Sequence, residues 1–366
     1  MTHLGRRTAA VSGARRAAVF GAALVVIAAS SPAFAQTNDR YAAIVIDVET
    51  NEVLHADQAD EQRYPASLTK MMTLYMLFEA MERGEIGLED RLTASRFASR
   101  QPPSRLGVRR GDTLTVEQAI NALVVQSAND VAVMVAERLA GSEAAFAEQM
   151  TRRARQLGME HTRFMNASGL PNPRIRTTAR DMATLSIAIW RDFPQYYHVF
   201  QTPSNSWRGR EARNHNRLLG AVEGVDGIKT GYTRASGFNL ATAAVRDGRR
   251  VVAVVMGGSS AAARDAQVAY LIEGAYEELA RREVLGTDVA MTSRPVQSVT
   301  ATFEADGAVV ARPGDSSVIQ LSGPVGPLRG PLDRRMTSYA AQGDVDPMAM
   351  EEQAADSAEV EPDQGE

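Results

Sequence analysis

Ser67-Leu68-Thr69-Lys70 opens an apolar stretch that continues through Met71, Met72, Tyr75 and Met76 to Arg83 and Gly84. The apolar residues recur at helical spacing, which predicts a helix over 67–83 with Gly84 as its C-terminal cap. Leu74, Leu77 and Phe78 are apolar too, so this helix is expected to be buried on most sides. A hydroxyl and an amine three residues apart at its start share one face and can touch. A serine hydroxyl is a poor nucleophile until a neighbouring base takes its proton. A lysine is such a base only when its pKa falls from about 10.4 toward 7, which burial or a second nearby cation promotes. Taken alone, the tetrad reads better as a helix-capping serine beside a solvated lysine.

Composition changes that weighting. Of the 40 basic residues only Lys70 and Lys229 are lysines. A chain that draws its generic positive charge from arginine has a use for these two that arginine cannot serve: a compact amine that can lose its proton. Lys229 is followed by Thr230 and Gly231 on a predicted strand, flanked by Gly227-Ile228 and Tyr232-Thr233. There an extended peptide can pair with the strand, and Gly231 permits close approach of its backbone. Between the two lysines lies Ser127-Ala128-Asn129 in a predicted break between helices, where a hydroxyl can relay a proton and an amide can bond a peptide group. At average residue frequencies, serine three places before a lysine has odds of about 1 in 15, and Thr-Gly directly after one about 1 in 300. Both among only two lysines, in order and with Ser-x-Asn between, is a coincidence of roughly one in several thousand.

Outward from these motifs, Tyr41 to Asp47 and Glu52 to His55 read as a hairpin around Glu49-Thr50-Asn51. Thr115 and Gln118 form a capping box ahead of Ile120, Leu123 and Val124, and helical composition resumes from Val131 to Gly141 after the Ser127–Asp130 interruption. Further helices are predicted from Ser142 to Gly158, over 179–190 and over 264–282. Strands are predicted over 227–233, 239–245 and 250–256, the last two joined by the hairpin turn Asp247-Gly248. Strands at both ends with helices between them imply one α/β domain of the α+β kind, with an antiparallel sheet joining the chain's two ends beside a helical lobe.

The ends of the chain read differently. Arg6, Arg7, Arg15 and Arg16 precede an apolar run from Ala17 to Ala29 and then Ala33-Phe34-Ala35, the pattern of a signal peptide over 1–35. That run is shorter than the roughly 20 residues of a membrane-spanning helix, so the mature chain is expected to start near Gln36, exported to the periplasm with no clear membrane anchor after cleavage. The catalytic domain is expected over 36–285. A small β-rich appendage follows over 286–340, from Val296 to Phe303 and Ala308 to Val310, and then an acidic disordered tail over 341–366. From Gln342 to Glu366 there are nine acidic residues and no basic ones. With 44% hydrophobic residues, 23% charged and a net charge of −4, the chain has no nucleic-acid-binding signature. The absence of cysteine removes disulfides, thiol nucleophiles and thiolate metal sites. The histidines outside the signal, His55, His161, His198 and His215, show no ligand spacing, so neither a metal nor another cofactor is expected.

Ser67-Leu68-Thr69-Lys70, Ser127-Ala128-Asn129 and Lys229-Thr230-Gly231 resemble the three motifs of the penicillin-recognising serine enzymes. Tyr64 to Thr73, Leu157-Gly158-Met159, Asn166 to Leu170 and Asp226 to Thr233 bring the resemblance closer to the low-molecular-mass D-Ala-D-Ala carboxypeptidases, over about Tyr41 to Leu279. The resemblance implies a β-lactamase/transpeptidase-like fold. It also implies an acyl-enzyme on Ser67, formed by attack on the penultimate D-Ala of a peptidoglycan stem peptide ending in D-Ala-D-Ala, or on β-lactam antibiotics. It casts Lys70 as general base, and Ser127 and Lys229 as proton donors to the leaving amine. The backbone amides of Ser67 and Tyr232 become an oxyanion hole, Asn129 orients the peptide, and Thr230 and Thr233 meet the terminal carboxylate. Asn214-His215-Asn216 occupies another cleft-lining segment, in which His215 departs from the family form. The rival readings are a β-lactamase, a DD-endopeptidase on the same machinery, and a non-catalytic peptidoglycan-binding protein. The β-lactamase would need a deacylation base after the Ser-x-Asn element, where Glu160-His161-Thr162-Arg163 fits the carboxypeptidase pattern instead. Retention of Ser67, Lys70 and Lys229 argues against the last reading.

Overall fold

The computed structural model describes residues 39–284, 301–303 and 309–311. These fall within the second of the two units into which the chain divides, Met1–Thr37 and Asn38–Glu366. The signal peptide expected over 1–35 and the tail expected over 341–366 lie outside the described residues. In chain order the elements are β1 (Ala42–Asp47), β2 (Val53–Asp57), α1 (Thr69–Glu82), β3 (Arg91–Thr93), β4 (Thr113–Thr115), α2 (Val116–Val125), α3 (Asn129–Ala140), α4 (Glu143–Gln156), α5 (Ala179–Asp192), β5 (Ser204–Trp207), β6 (Arg210–Arg213), β7 (Val225–Thr233), β8 (Gly237–Arg246), β9 (Arg249–Gly258), α6 (Ala261–Val284), β10 (Ala301–Phe303) and β11 (Val309–Ala311).

The main sheet has the order β2-β1-β9-β8-β7 and is antiparallel throughout. β1 lies against β9 from Ala42↔Met256 to Asp47↔Val251, so the start of the domain is stitched to its end, as the pattern of strands implied. Alternation splits β1 and β9 between two cores. Ala42, Ile44, Ile46, Val252, Val254 and Met256 join the helical lobe. Ala43, Val45, Val251, Ala253 and Val255 face Val268, Leu271 and Ile272 of α6. Because both faces are covered, these strands read as unbroken apolar runs rather than alternating ones. The β8–β9 turn holds Asp247 at φ 49° and Gly248 at φ 79°, the two positive values that a type I′ hairpin requires.

α1 runs through the middle of the helical lobe, with Met71, Met72, Leu74, Tyr75, Leu77 and Phe78 fully buried. Gly84, at φ 69°, closes it with its N–H on the Met81 carbonyl at 2.9 Å. The capping box at α2 is formed in both directions, Gln118 N to Thr115 Oγ1 at 3.2 Å and Thr115 N to Gln118 Oε1 at 2.9 Å.

The break before α3 is shorter than the sequence suggested, because Asn129 and Asp130 are its first two residues. The cause is a contact distant in sequence. The Asp130 carboxylate accepts from the N–H groups of Leu106, Gly107 and Val108 at 2.8 to 3.1 Å, and Asn129 N donates to the Ser104 carbonyl at 2.7 Å. A loop that supplies and uses the polar groups of a helix start does the work of a cap, and no local window reveals it. β10 and β11 pair antiparallel from Ala301↔Ala311 to Phe303↔Val309, within the stretch where a β appendage is expected. The rest of 285–340 lies outside the described residues.

Candidate active site

Ser67 sits in a single 3₁₀ turn, Ala66–Leu68, that runs directly into α1, with Leu68 N on the Pro65 carbonyl at 3.1 Å. Ala66 is held at φ 47° and Ser127 at φ 55°, conformations that residues with a Cβ rarely adopt. Two such residues, beside the candidate nucleophile and at its candidate proton relay, concentrate backbone strain at one place.

The side chains meet as the spacing predicts. Lys70, fully buried, brings its Nζ to 3.2 Å from Ser67 Oγ, 2.7 Å from Asn129 Oδ1 and 2.7 Å from the Ser168 carbonyl. The amide of Asn129 is oriented by its other end, since Nδ2 donates to the Pro102 carbonyl at 3.0 Å and Oδ1 is thereby turned to the amine. Asn129 was expected to orient a peptide; here its oxygen serves Lys70. The Ser127 hydroxyl is buried with no hydrogen-bond partner among the described residues.

β7 is one of the two edge strands of the main sheet and carries the third motif. A Cβ on Gly231 would lie 2.9 Å from Ser67 N, 3.1 Å from Leu68 N and 3.2 Å from the Pro65 carbonyl. The absent side chain therefore lets the strand itself approach the serine turn, where room for a substrate backbone was expected. Asn239 of β8 ties the same turn to the sheet, donating to the carbonyls of Tyr64 at 3.0 Å and Pro65 at 3.2 Å and accepting from Gly257 N at 2.9 Å. Lys229 is buried, with Nζ on the Thr230 carbonyl at 3.1 Å. Tyr232 packs its ring on Phe238, centroids 4.3 Å apart, and the Thr233 hydroxyl is 2.9 Å from Ser236 Oγ.

The foot of β7 is fixed by charge. Asp226 forms a two-point pair with Arg250 at 2.9 and 2.6 Å and accepts from the Tyr197 hydroxyl at 3.1 Å. Burial, followed by the Asp226 carboxylate, holds the Tyr197 phenol well above its ordinary pKa. The Gly227 carbonyl accepts from Asn216 Nδ2 at 2.8 Å and from the Thr242 hydroxyl, so Asn216 of the Asn214–Asn216 segment braces the strand. Two contributors were invisible in the sequence. The Ser168 carbonyl is a backbone atom with no residue-type signature, and Asn239 reads as an ordinary polar position; Asn216 lies in the segment that the family resemblance singled out.

Comparison with known proteins gives one picture. A family described as D-alanyl-D-alanine carboxypeptidase matches residues 27–260. The D-alanyl-D-alanine carboxypeptidase DacD of Salmonella typhimurium is 35% identical over 254 residues, 68% of this chain and 65% of that protein. The Escherichia coli protein of the same name is 35% identical over 64% of its length, so the chain spans just under two thirds of these curated relatives. Among solved structures, DacD from Francisella tularensis superposes with a TM-score of 0.63 at 28% identity, over 64% of this chain and 69% of that one. Penicillin-binding protein D2 of Listeria monocytogenes, solved in its cefotaxime-bound form, gives 0.59 at 31% identity, over 64% and 96%. The antiparallel sheet with flanking helices is thus the fold of the low-molecular-mass penicillin-binding proteins.

Proposed function

The chain belongs to the D-alanyl-D-alanine carboxypeptidase family, and from that premise we propose that it removes the terminal D-Ala of peptidoglycan stem pentapeptides through an acyl-enzyme on Ser67, and that β-lactams acylate the same oxygen. One observation carries the reading. A neutral amine has two hydrogens and one lone pair, and the two 2.7 Å contacts of Lys70 are to oxygens that can only accept. In the neutral form, with both hydrogens directed there, the lone pair is left for Ser67 Oγ at 3.2 Å, an arrangement that would let Lys70 take the serine proton.

In this reading Ser67 Oγ attacks the penultimate D-Ala carbonyl carbon as Lys70 takes its proton. The backbone N–H groups of Ser67 and Tyr232 receive the developing oxyanion, an interaction worth several kcal/mol. The Ser127 hydroxyl, assisted by Lys229, passes a proton to the nitrogen of the departing D-Ala. Its lack of a partner among the described residues suits a group whose partner is the substrate. Lys229 and the hydroxyls of Thr230 and Thr233 meet the substrate carboxylate, the Gly231 edge pairs with the peptide, and water then hydrolyses the ester. Asn129 acts first on Lys70 and presents its remaining amide hydrogen to the peptide. The reaction is proposed to take place outside the cytoplasmic membrane, after removal of residues 1–35; no described helix is long and apolar enough to cross a membrane.

The test is intact-mass analysis of residues 36–366 with benzylpenicillin, wild type beside Ser67→Ala, together with D-Ala release from a pentapeptide ending in D-Ala-D-Ala. An adduct of one penicillin that the substitution abolishes, with D-Ala released, is the expected result. No adduct on the wild type refutes the nucleophile, and fast penicillin turnover without D-Ala release points to a β-lactamase instead.

A further inference from the structure

Lys70 depends for one of its acceptors on a backbone atom, the Ser168 carbonyl, in the segment Asn166–Leu170 between α4 and α5. A carbonyl in a connecting segment holds its place only as well as the segment does. The residue before it, Ala167, is gripped at both of its polar atoms by side chains from two helices. Its N–H donates to Glu143 Oε1 at 3.0 Å, and its carbonyl accepts from Thr73 Oγ1 at 2.6 Å. Thr73 is fully buried and lies one turn beyond Lys70 on α1, so the segment is tied to the very helix that carries the amine. Glu143 is the first residue of α4, 24 positions away in sequence from the N–H it accepts.

A glutamate in the first turn of a helix is ordinary, because the helix dipole favours it there. Glu143 differs in where its oxygen is used. The N-terminus of α4 is already capped by Ser142, whose hydroxyl accepts from Ala145 N at 3.2 Å, and the carboxylate turns to Ala167 instead. Its surroundings resist its charge: burial first, and then the nearby Glu137 carboxylate, raise its pKa above the ordinary value of 4.5, opposed by the Ala167 N–H and by Lys70. A solvated surface glutamate would show neither feature.

We propose that Glu143 and Thr73 are positioning residues for Lys70, clamping Ala167 so that the Ser168 carbonyl stays in hydrogen-bond reach of the amine. The clamp matters for catalysis because of how the hydrogens of Lys70 are shared out. If the Ser168 carbonyl withdraws, one N–H loses its acceptor and can turn to Ser67 Oγ, which places a hydrogen where the lone pair has to be. The serine would then be bonded as an acceptor and held away from its base, while substrate binding, which uses β7 and its neighbours, would be unaffected. The inference rests on the reading of Lys70 as general base.

The experiment is the saturation kinetics of benzylpenicillin acylation, which separate the plateau acylation rate from the half-saturating concentration, on the wild type, Glu143→Ala, Glu143→Gln and Thr73→Val. Glu143→Ala and Thr73→Val are expected to lower the plateau rate tenfold or more with the half-saturating concentration unchanged. Glu143→Gln keeps an oxygen for Ala167 N and is expected to restore the rate to within about threefold. A wild-type plateau rate in Glu143→Ala, or a loss that appears only in the half-saturating concentration, overturns the proposal. Should Glu143→Ala fail to fold, Thr73→Val decides by the same criterion. A wild type that forms no adduct overturns the proposed function itself, so the two failures are told apart.

Discussion

Gly169 is where the fit around the serine turn is tightest, and replacing it with alanine separates two effects that usually come together. At φ 87° it occupies left-handed space, and a Cβ built there would sit 1.9 Å from the Ala66 carbonyl oxygen and 2.8 Å from Thr69 Oγ1. Left-handed backbone costs a residue with a Cβ about 1–2 kcal/mol. Relief of the clash is a separate matter, because moving from 1.9 Å to the 3.4 Å at which ordinary contact begins takes a displacement of about 1.5 Å. If 166–170 moves, the Ser168 carbonyl leaves Lys70; if Ala66 moves, Ser67 moves with it. Displacements of about 1 Å at reacting groups cost about 100-fold in rate. Overpacking of this kind adds about 1–3 kcal/mol to the backbone cost. Gly158 is the control: it has φ 86° and nothing within 4 Å of its would-be Cβ, so Gly158→Ala carries the backbone cost alone. The assay is the benzylpenicillin acylation rate, with urea unfolding of both variants. Gly158→Ala is expected to acylate at the wild-type rate and to lose about 1–2 kcal/mol of stability. Gly169→Ala should acylate about 100-fold more slowly and lose more. If the two variants acylate within threefold of each other, the argument that the 166–170 segment holds the catalytic turn in place is wrong.

Other perturbations test other parts of the structure. Lys70→Arg keeps the charge but not the ability to give up a proton, and is expected to abolish acylation by at least about 1000-fold, read by adduct formation over hours; measurable acylation at a tenth of the wild-type rate would remove Lys70 from the role of base. Asp226→Ala leaves Arg250, its side chain 10% exposed, without its carboxylate, and should cost about 3–5 kcal/mol in urea unfolding; a loss under about 1 kcal/mol would show that the pair does not anchor β7. Glu143 titrates above its ordinary 4.5 in the folded protein, so its share of stability is present at low pH and is lost as pH rises through the raised value. The Tm of Glu143→Gln relative to wild type should therefore improve as pH rises from about 4 to 7, and a flat or falling difference would contradict the raised pKa.

The strands and helices that carry the site were legible because their signals are local. The apolar runs of β1, β8 and β9, the Thr115–Gln118 box and the Asp247-Gly248 turn each declare themselves within a few residues. The β5–β6 hairpin did not, because Ser204–Trp207 and Arg210–Arg213 contain almost nothing to bury and their turn, Arg208-Gly209, lacks the usual Asn or Asp. The start of α3 was displaced for a related reason, since Asp130 looked like a loop residue until the N–H groups of Leu106, Gly107 and Val108 were seen to converge on it. At the candidate site, the residue types proposed to do chemistry were visible through their scarcity, above all the two lysines. The residues that hold them were not, because a carbonyl such as that of Ser168 or a bracing amide such as Asn239 has no distinctive composition. Gly231 falls between the two: its need for a bare Cα was readable, but which backbone it accommodates was decided by tertiary packing.

Both lysines of the chain are buried, one three residues from the candidate nucleophile and the other on β7, and every other side-chain cation is a guanidinium or an imidazole. An isotope placed in lysine alone would therefore appear in a magnetic resonance spectrum as two signals, each from a buried residue of the proposed site and neither hidden by surface groups. Such a spectrum would follow the protonation of the amines and the arrival of an acyl group directly, in a protein of ordinary size, without a single substitution.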